Sequence, residues 1–61
     1  MIYTDTDGVL VDIEIMTAPT IINTVQGEQV AIAGQYLARP ENEKPFLLDA
    51  ETLASSFILV E

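Results

Sequence analysis

The sequence predicts a small α+β domain: an antiparallel β-sheet of roughly five or six short strands, curled or partly barrel-like, with one short helix near residues 50–55. Three observations predict it. Apolar and polar side chains alternate through residues 9–16, glycine-containing turns separate β-branched segments, and an aspartate opens a short run of helix-forming residues. Period two is typical of a half-buried strand, and an N-cap aspartate marks the start of a helix.

The N-terminal half predicts two hairpins. Asp7 and Gly8 favour a tight turn between residues 1–4 and the alternating strand, because glycine adopts a positive φ at little cost. Pro19 ends or bends that strand, since it lacks a backbone N–H. Beyond it, residues 20–25 and 29–32 have β character and are joined by a turn, which makes the second hairpin.

The C-terminal half predicts a third hairpin, one helix and a last strand. Gly34 precedes one strand, a polar loop at residues 40–43 leads into the next, and Asp49 is the N-cap of the helix. Residues 57–60 form the last strand. The predicted core comprises Val9, Val11, Ile13, Ile15, Val30, Ile32, Tyr36, Phe46, Leu48, Leu53, Phe57 and Leu59.

The composition restricts the chemistry open to the chain. Its 61 residues make a single small acidic domain, with two basic and ten acidic side chains and a formal net charge of −8. The chain has no histidine and no cysteine, so a disulfide, a zinc site of the usual kind, a thiol nucleophile and an imidazole base are all excluded. We therefore expect no enzymatic activity and no cofactor.

Charge and hydropathy also restrict location and partners. The apolar runs are far shorter than the ~18 residues that span a bilayer, and the first residues lack the basic-then-apolar pattern of a signal peptide. We expect a cytoplasmic protein, in the bacterial host cytoplasm if a phage encodes it. Arg39 and Lys44 are the only basic side chains, so we expect no direct binding to nucleic acid or membrane and expect a partner with a basic protein surface.

The acidic segment at residues 5–12 resembles the nucleophile loop of haloacid dehalogenase phosphatases, with Asp5 and Asp7 matching its two aspartates. That loop follows a buried strand of a doubly wound sheet, and only four residues precede Asp5. An EF-hand calcium loop beginning at Asp5 would need glycine where Leu10 stands and glutamate where Met16 stands. We interpret the segment as a hairpin turn with solvated carboxylates.

Acidic and apolar side chains on one strand face form a candidate binding surface. Leu10, Asp12, Glu14 and Met16 share that face, which is typical either of a binding surface or of a solvated outer face. Other acidic residues extend the candidate set. The full set of predicted partner-binding residues is Asp5, Asp7, Leu10, Asp12, Glu14, Met16, Glu41, Glu43, Asp49 and Glu51.

The segment Gly34-Gln35-Tyr36 is followed by a turn, a strand at residues 45–48, a short helix with Leu53 and the aromatic Phe57. With these elements in this order, residues 24–61 resemble a small phage domain that is named for its Pro-Gly-Asp-Tyr-Gly motif. Gly34 and Tyr36 match that motif, whereas Ala33, Gln35 and Leu37 replace its other three residues. The resemblance implies a small α+β domain, often phage-encoded, and supplies no catalytic residues.

Two functions follow as expectations. A compact body with excess negative charge can imitate a phosphate backbone, so the first is a phage-type inhibitor that blocks the basic, nucleic-acid-binding surface of a host protein, such as an anti-CRISPR or other DNA mimic. The alternative is a small phage structural or assembly protein working as a homo-oligomer, for example a homodimer, because short domains without disulfides or metals gain stability from a partner.

Overall fold

Two antiparallel sheets and one helix make up the computed structural model, which describes residues 1–61. The fold is mostly β, and the predicted small antiparallel architecture with one short helix is confirmed. The sheets contain seven strands against the predicted five or six, and the last of them, with two residues, lies within the predicted strand at residues 57–60. The elements are β1 (Ile2–Thr4), β2 (Leu10–Ile15), β3 (Thr20–Thr24), β4 (Gly27–Ala31), β5 (Tyr36–Pro40), β6 (Phe46–Leu48), α1 (Ala50–Ser56) and β7 (Ile58–Leu59).

The strands form one five-stranded sheet in the order β6-β5-β2-β1-β7 and a separate two-stranded sheet of β3 and β4. The predicted curled or partly barrel-like sheet is wrong. A barrel closes only when its outermost strands pair with each other. Here the outermost strands, β6 and β7, have three and two residues and lie at opposite edges, so the sheet stays open.

The turn between β1 and β2 depends on the side chain of Asp5. Its Oδ1 atom accepts hydrogen bonds from the backbone N–H groups of Asp7 at 2.8 Å and Val9 at 2.9 Å. Gly8 takes a φ of 83°, which a residue with a Cβ adopts only with strain. The Asp5 side chain and the Asp7 backbone therefore help to form a hairpin turn, in agreement with the interpretation of the sequence.

The larger core lies on the face of the five-stranded sheet that α1 covers. Ile13 at its centre is fully buried, opposite Ala38 of β5. Leu53 is the one buried residue of α1 and packs into the same cluster. The cluster consists of Val11, Ile13, Ala38, Leu48 and Leu53, with Tyr3, Tyr36, Phe46 and Phe57 packed around it.

A second, smaller core lies on the other face of the sheet, beneath the β3–β4 hairpin. It consists of Ile22, Ala31 and Leu37, with Met16 and Leu47 packed against them. Backbone hydrogen bonds link Met16 with Gln35 (2.7 Å) and with Gly34 (2.9 Å). Successive residues of β5, Leu37 and Ala38, thus lie in different cores, because neighbouring strand residues face opposite sides of a sheet.

The predicted core is partly confirmed. Val11, Ile13, Leu48 and Leu53 are buried, while Tyr36, Phe46 and Phe57 are half-buried. The prediction is wrong for five residues that are more than half exposed: Val9, Ile15, Val30, Ile32 and Leu59. A helix of seven residues is about 10 Å long, too short to cover Ile15 and Leu59, and no element covers Val30 and Ile32 on the outer side of the hairpin. The prediction also missed Ile22, Ala31 and Leu37, because it did not place a hairpin on the second face, and it missed Ala38, which lies opposite Ile13 in the larger core.

Replacing Leu53 with alanine tests the larger core. Leu53 is 7% exposed, and Leu→Ala changes at buried positions cost about 2–5 kcal/mol. A core in a domain of this size supplies only about 3–5 kcal/mol, so we expect Leu53→Ala to unfold much of the population. The measurement is urea unfolding followed by circular dichroism. Leu59→Ala, at a residue 54% exposed, should move the midpoint far less; equal midpoints for the two variants would contradict this role of Leu53.

Candidate functional site

An open groove of about 690 Å³ lies at one end of the five-stranded sheet. The apolar part of its lining is formed by Val9, Leu10, Val11, Phe46 and Phe57, together with Pro40. The polar part is formed by Asp5, Glu41 and Glu43, together with Asn42. The groove therefore joins two half-buried aromatic rings to three carboxylates.

The pairing of β2 with β5 explains why these residues meet. The register places Val11 opposite Pro40, so the start of β2 lies beside the end of β5. The turn that precedes β2 and the loop that follows β5 therefore project from the same end of the sheet. The first brings Asp5, and the second brings Glu41 and Glu43.

The aromatic residues reach the groove from two further elements. Phe46 is the first residue of β6 and lies opposite Ala38. Phe57 follows α1, where its backbone N–H bonds to the carbonyl oxygen of Leu53 at 3.1 Å. Both rings pack against the larger core and are half-buried, so each supports the core on one side and lines the groove on the other.

The carboxylates of the groove have no salt-bridge partner, since the salt bridges of the chain involve only Arg39 and the N-terminal amine as cations. Asp5 is oriented by the two backbone N–H groups of its turn, and Glu41 and Glu43 are exposed. Like charges around a concave surface focus the electric field. No ion pair of the chain therefore neutralises the carboxylates of the groove, and Lys44, next to Glu43 in the sequence, forms none.

Asp12 and Glu14 lie elsewhere, on the second face of the sheet, and their charge is compensated. Arg39 lies opposite Asp12 in the register and forms ion pairs with both carboxylates. The N-terminal amine of Met1 approaches Asp12 Oδ1 to 3.3 Å. The structure thus divides the predicted acidic surface into a compensated pair on β2 and an uncompensated set at the groove.

The other predicted residues have separate positions. Leu10 lines the groove, whereas Met16 packs against the second core. Asp7 is exposed in its turn and is not part of the groove lining. Asp49 caps α1, and Glu51 is exposed in the first helical turn.

Sequence reasoning missed six lining residues of the groove: Phe46, Phe57, Val9, Val11, Pro40 and Asn42. It assigned the first four to the core, because an apolar residue in a strand pattern indicates burial and does not show which core residues border a cavity. The proximity of Phe46 to the acidic loop at residues 40–43 was the one available signal.

The lining suits binding by charge and apolar contact. Its only ionisable groups are carboxylates, and no group of three acidic side chains in the chain is placed to hold a metal ion. A lysine or arginine side chain combines an apolar stem with a charged head. The stem fits against phenylalanine rings and the head against carboxylates, so the groove has the chemistry to receive a basic side chain.

Comparison of the chain with models of protein families, with characterised proteins and with solved structures gave no match. The resemblance of residues 24–61 to the phage domain stays a prediction. Of its two matching residues, Gly34 adopts a φ of 94° before β5, and Tyr36 is the first residue of β5. The only helix, α1, is too short to cross a membrane.

The cap of α1 makes stability depend on pH. Asp49 accepts a hydrogen bond from the backbone N–H of Thr52 at 2.8 Å, which holds the pKa of its carboxyl below the ordinary value of 3.8. Because the folded-state pKa is lowered, the stability contributed by ionised Asp49 is present above the unfolded-state pKa and is lost as pH falls through the folded-state pKa.

Asp49→Asn keeps a capping side chain that does not titrate. We expect the difference in unfolding free energy between the wild type and Asp49→Asn to be constant above about pH 5. At lower pH the wild type should lose stability relative to Asp49→Asn, because its cap becomes protonated. Urea unfolding measured at a series of pH values gives this difference. A difference that stays constant down to about pH 2 would contradict the role of the ionised cap.

Proposed function

We propose that this chain is a non-catalytic acidic binding protein, a phage-type inhibitor that blocks the basic, nucleic-acid-binding surface of a host protein in the manner of a DNA mimic, with anti-CRISPR activity as one instance. The observation that carries the proposal is the groove, in which carboxylates without salt bridges adjoin half-buried aromatic rings. Its site of action would be the cytoplasm of a bacterial host.

Charge supplies the first step of recognition. The net charge of −8 lies on a body of only 28 × 22 × 17 Å. A field of this sign attracts surfaces rich in lysine and arginine, speeds association and disfavours acidic partners. Because Arg39 compensates Asp12 and Glu14, the attraction is expected to be stronger at the groove than on that face of the sheet.

Apolar contact supplies the second step. Exposed ion pairs are worth little, with a median of roughly 0–1 kcal/mol, so carboxylates alone would give weak binding that salt removes. Phe46 and Phe57 add apolar surface next to the charges. An arginine held between a ring face and a carboxylate is partly shielded from water, and arginine and aromatic residues often dominate binding energy at such sites.

The proposal is tested by affinity capture from bacterial lysate with the tagged protein, at low and at high salt, with retained proteins identified by mass spectrometry. We expect a nucleic-acid-binding protein that is retained at low salt and weakened at high salt. The purified partner should then lose its nucleic-acid binding when the intact 61-residue chain is added. A partner that binds nucleic acid equally well in the presence of the chain would overturn the proposal.

Two matched charge reversals locate the binding face. Glu41→Lys with Glu43→Lys, and Asp12→Lys with Glu14→Lys, change the net charge by the same amount. We expect the first pair to abolish capture of the partner and the second pair to retain it, since only the first lies at the groove. Circular dichroism checks that each variant folds. Equal loss in both folded variants would show that total charge, not the groove, determines binding.

A further inference from the structure

Charge is distributed unevenly along the chain. Residues 17–38 include the whole β3–β4 hairpin and contain a single charged residue, Glu28. All other charged residues, nine acidic and both basic, lie outside this segment. The hairpin therefore belongs to the longest nearly uncharged segment of this strongly acidic protein; a shorter one, residues 52–60, includes β7.

The outer face of the hairpin carries exposed apolar side chains beside the polar pair Asn23 and Glu28. Burial alternates along β3, with Ile22 and Thr24 turned to the second core and Ile21 turned to solvent. Ile21 lies directly opposite Val30 of β4, and both are more than 60% exposed. Val25 in the turn and Ile32 just after β4 are more than half exposed as well. We call Ile21, Val25, Val30 and Ile32 the hairpin patch.

The hairpin has little support from the rest of the molecule. Only three buried residues make up the core beneath it, and its two strands pair only with each other. Two-stranded hairpins are marginally stable in water unless another layer packs on them. Contact on the outer face would give the hairpin a second layer.

We propose that a second copy of this chain covers the hairpin patch, so that the protein forms a two-fold symmetric dimer. This goes beyond the inhibitor function and does not depend on it. Two molecules that each carry a net charge of −8 repel one another, and the repulsion is least where the facing surfaces hold few carboxylates. A basic partner would be drawn instead to the acidic groove, which has no residue in common with the patch.

An isologous contact suits this patch. With the two hairpins running in opposite directions, Ile21 and Val30 of one copy pack on the same residues of the other. Glu28 lies nearer the turn, opposite Asn23, so its two copies fall at opposite ends of the contact. Both grooves stay open, so the dimer would present two binding sites to a partner.

The size of the patch sets the strength of the dimer. A standard interface takes about 800 Å² from each partner, which is roughly a fifth of the 4232 Å² surface of this chain. One face of a two-stranded hairpin is smaller than that. The dimer is therefore weak and reversible, and salt strengthens it by screening the charge on the two bodies.

Sedimentation equilibrium of the intact chain tests the proposal. We expect the mean mass to rise with concentration from 6.7 kDa towards twice that value, and at lower concentration in high salt than in low salt. A chain that stays monomeric up to about 1 mM at both salt concentrations would overturn the proposal. A dissociation constant above about 1 mM is too weak for a specific dimer.

Two single variants of matched exposure locate the contact. Ile21→Glu and Ile58→Glu replace isoleucines that are 68% and 69% exposed, the second on β7 away from the hairpin. Ile21→Glu should weaken dimerisation by about tenfold or more, because it brings two carboxylates into an apolar contact. Ile58→Glu adds the same charge away from the contact, so it should weaken dimerisation only by the small amount that one extra negative charge on each copy causes. Equal effects of the two changes, no effect of either, or a larger effect of Ile58→Glu would place the contact elsewhere and overturn the proposal.

Cross-linking gives a readout that does not depend on adding charge. The chain has no cysteine, so Val30→Cys and Ile58→Cys each introduce a single thiol. Under mild oxidation we expect disulfide-linked dimers from Val30→Cys at a rate well above that from Ile58→Cys. The same slow rate for both variants would contradict a contact centred on the hairpin patch. If circular dichroism shows that Ile21→Glu does not fold, Ile21→Thr keeps a β-branched side chain and tests the same position.

Discussion

The antiparallel pairing of β2 with β5 determines the arrangement of the other parts of this protein. It places Ile13 against Ala38 at the centre of the larger core, and it places Arg39 beside the carboxylates of β2. It also brings the turn before β2 and the loop after β5 to one end of the sheet, where the groove forms. A slip of one residue in this register would turn every side chain of β2 to the opposite face, and core, ion pairs and groove would be lost together.

The two ends of the β2–β5 pair differ in chemistry. The end at Val11 and Pro40 carries the acidic groove, while the end at Ile15 and Tyr36 leads into the hairpin, whose one charged residue is Glu28. A protein with so little interior has few buried contacts to hold it together, and charge of one sign destabilises a compact body. The carboxylates lie mostly outside the hairpin, so the surface has two parts of different chemistry, one acidic and one apolar.

Local signals in the sequence predicted much of the scaffold and part of the site. The helix cap Asp49 and the turn residue Gly8 are found where the sequence predicts them, and four of the predicted binding residues, Asp5, Leu10, Glu41 and Glu43, line the groove. Other features depend on residues far apart in the chain. Arg39 meets Glu14 across 25 positions, and no local pattern indicates which carboxylate a lone arginine will pair with.

The sequence by itself determined the strands, the turns, the single helix and the excess of negative charge, because these follow from side-chain alternation, glycine, capping residues and composition. Only the tertiary structure decided which apolar residues are buried. Val30 and Leu37 both lie on strands, yet one is exposed and the other is buried beneath the hairpin. The reason is that alternation separates the two faces of a strand, whereas the layers that cover each face are set by contacts between distant segments.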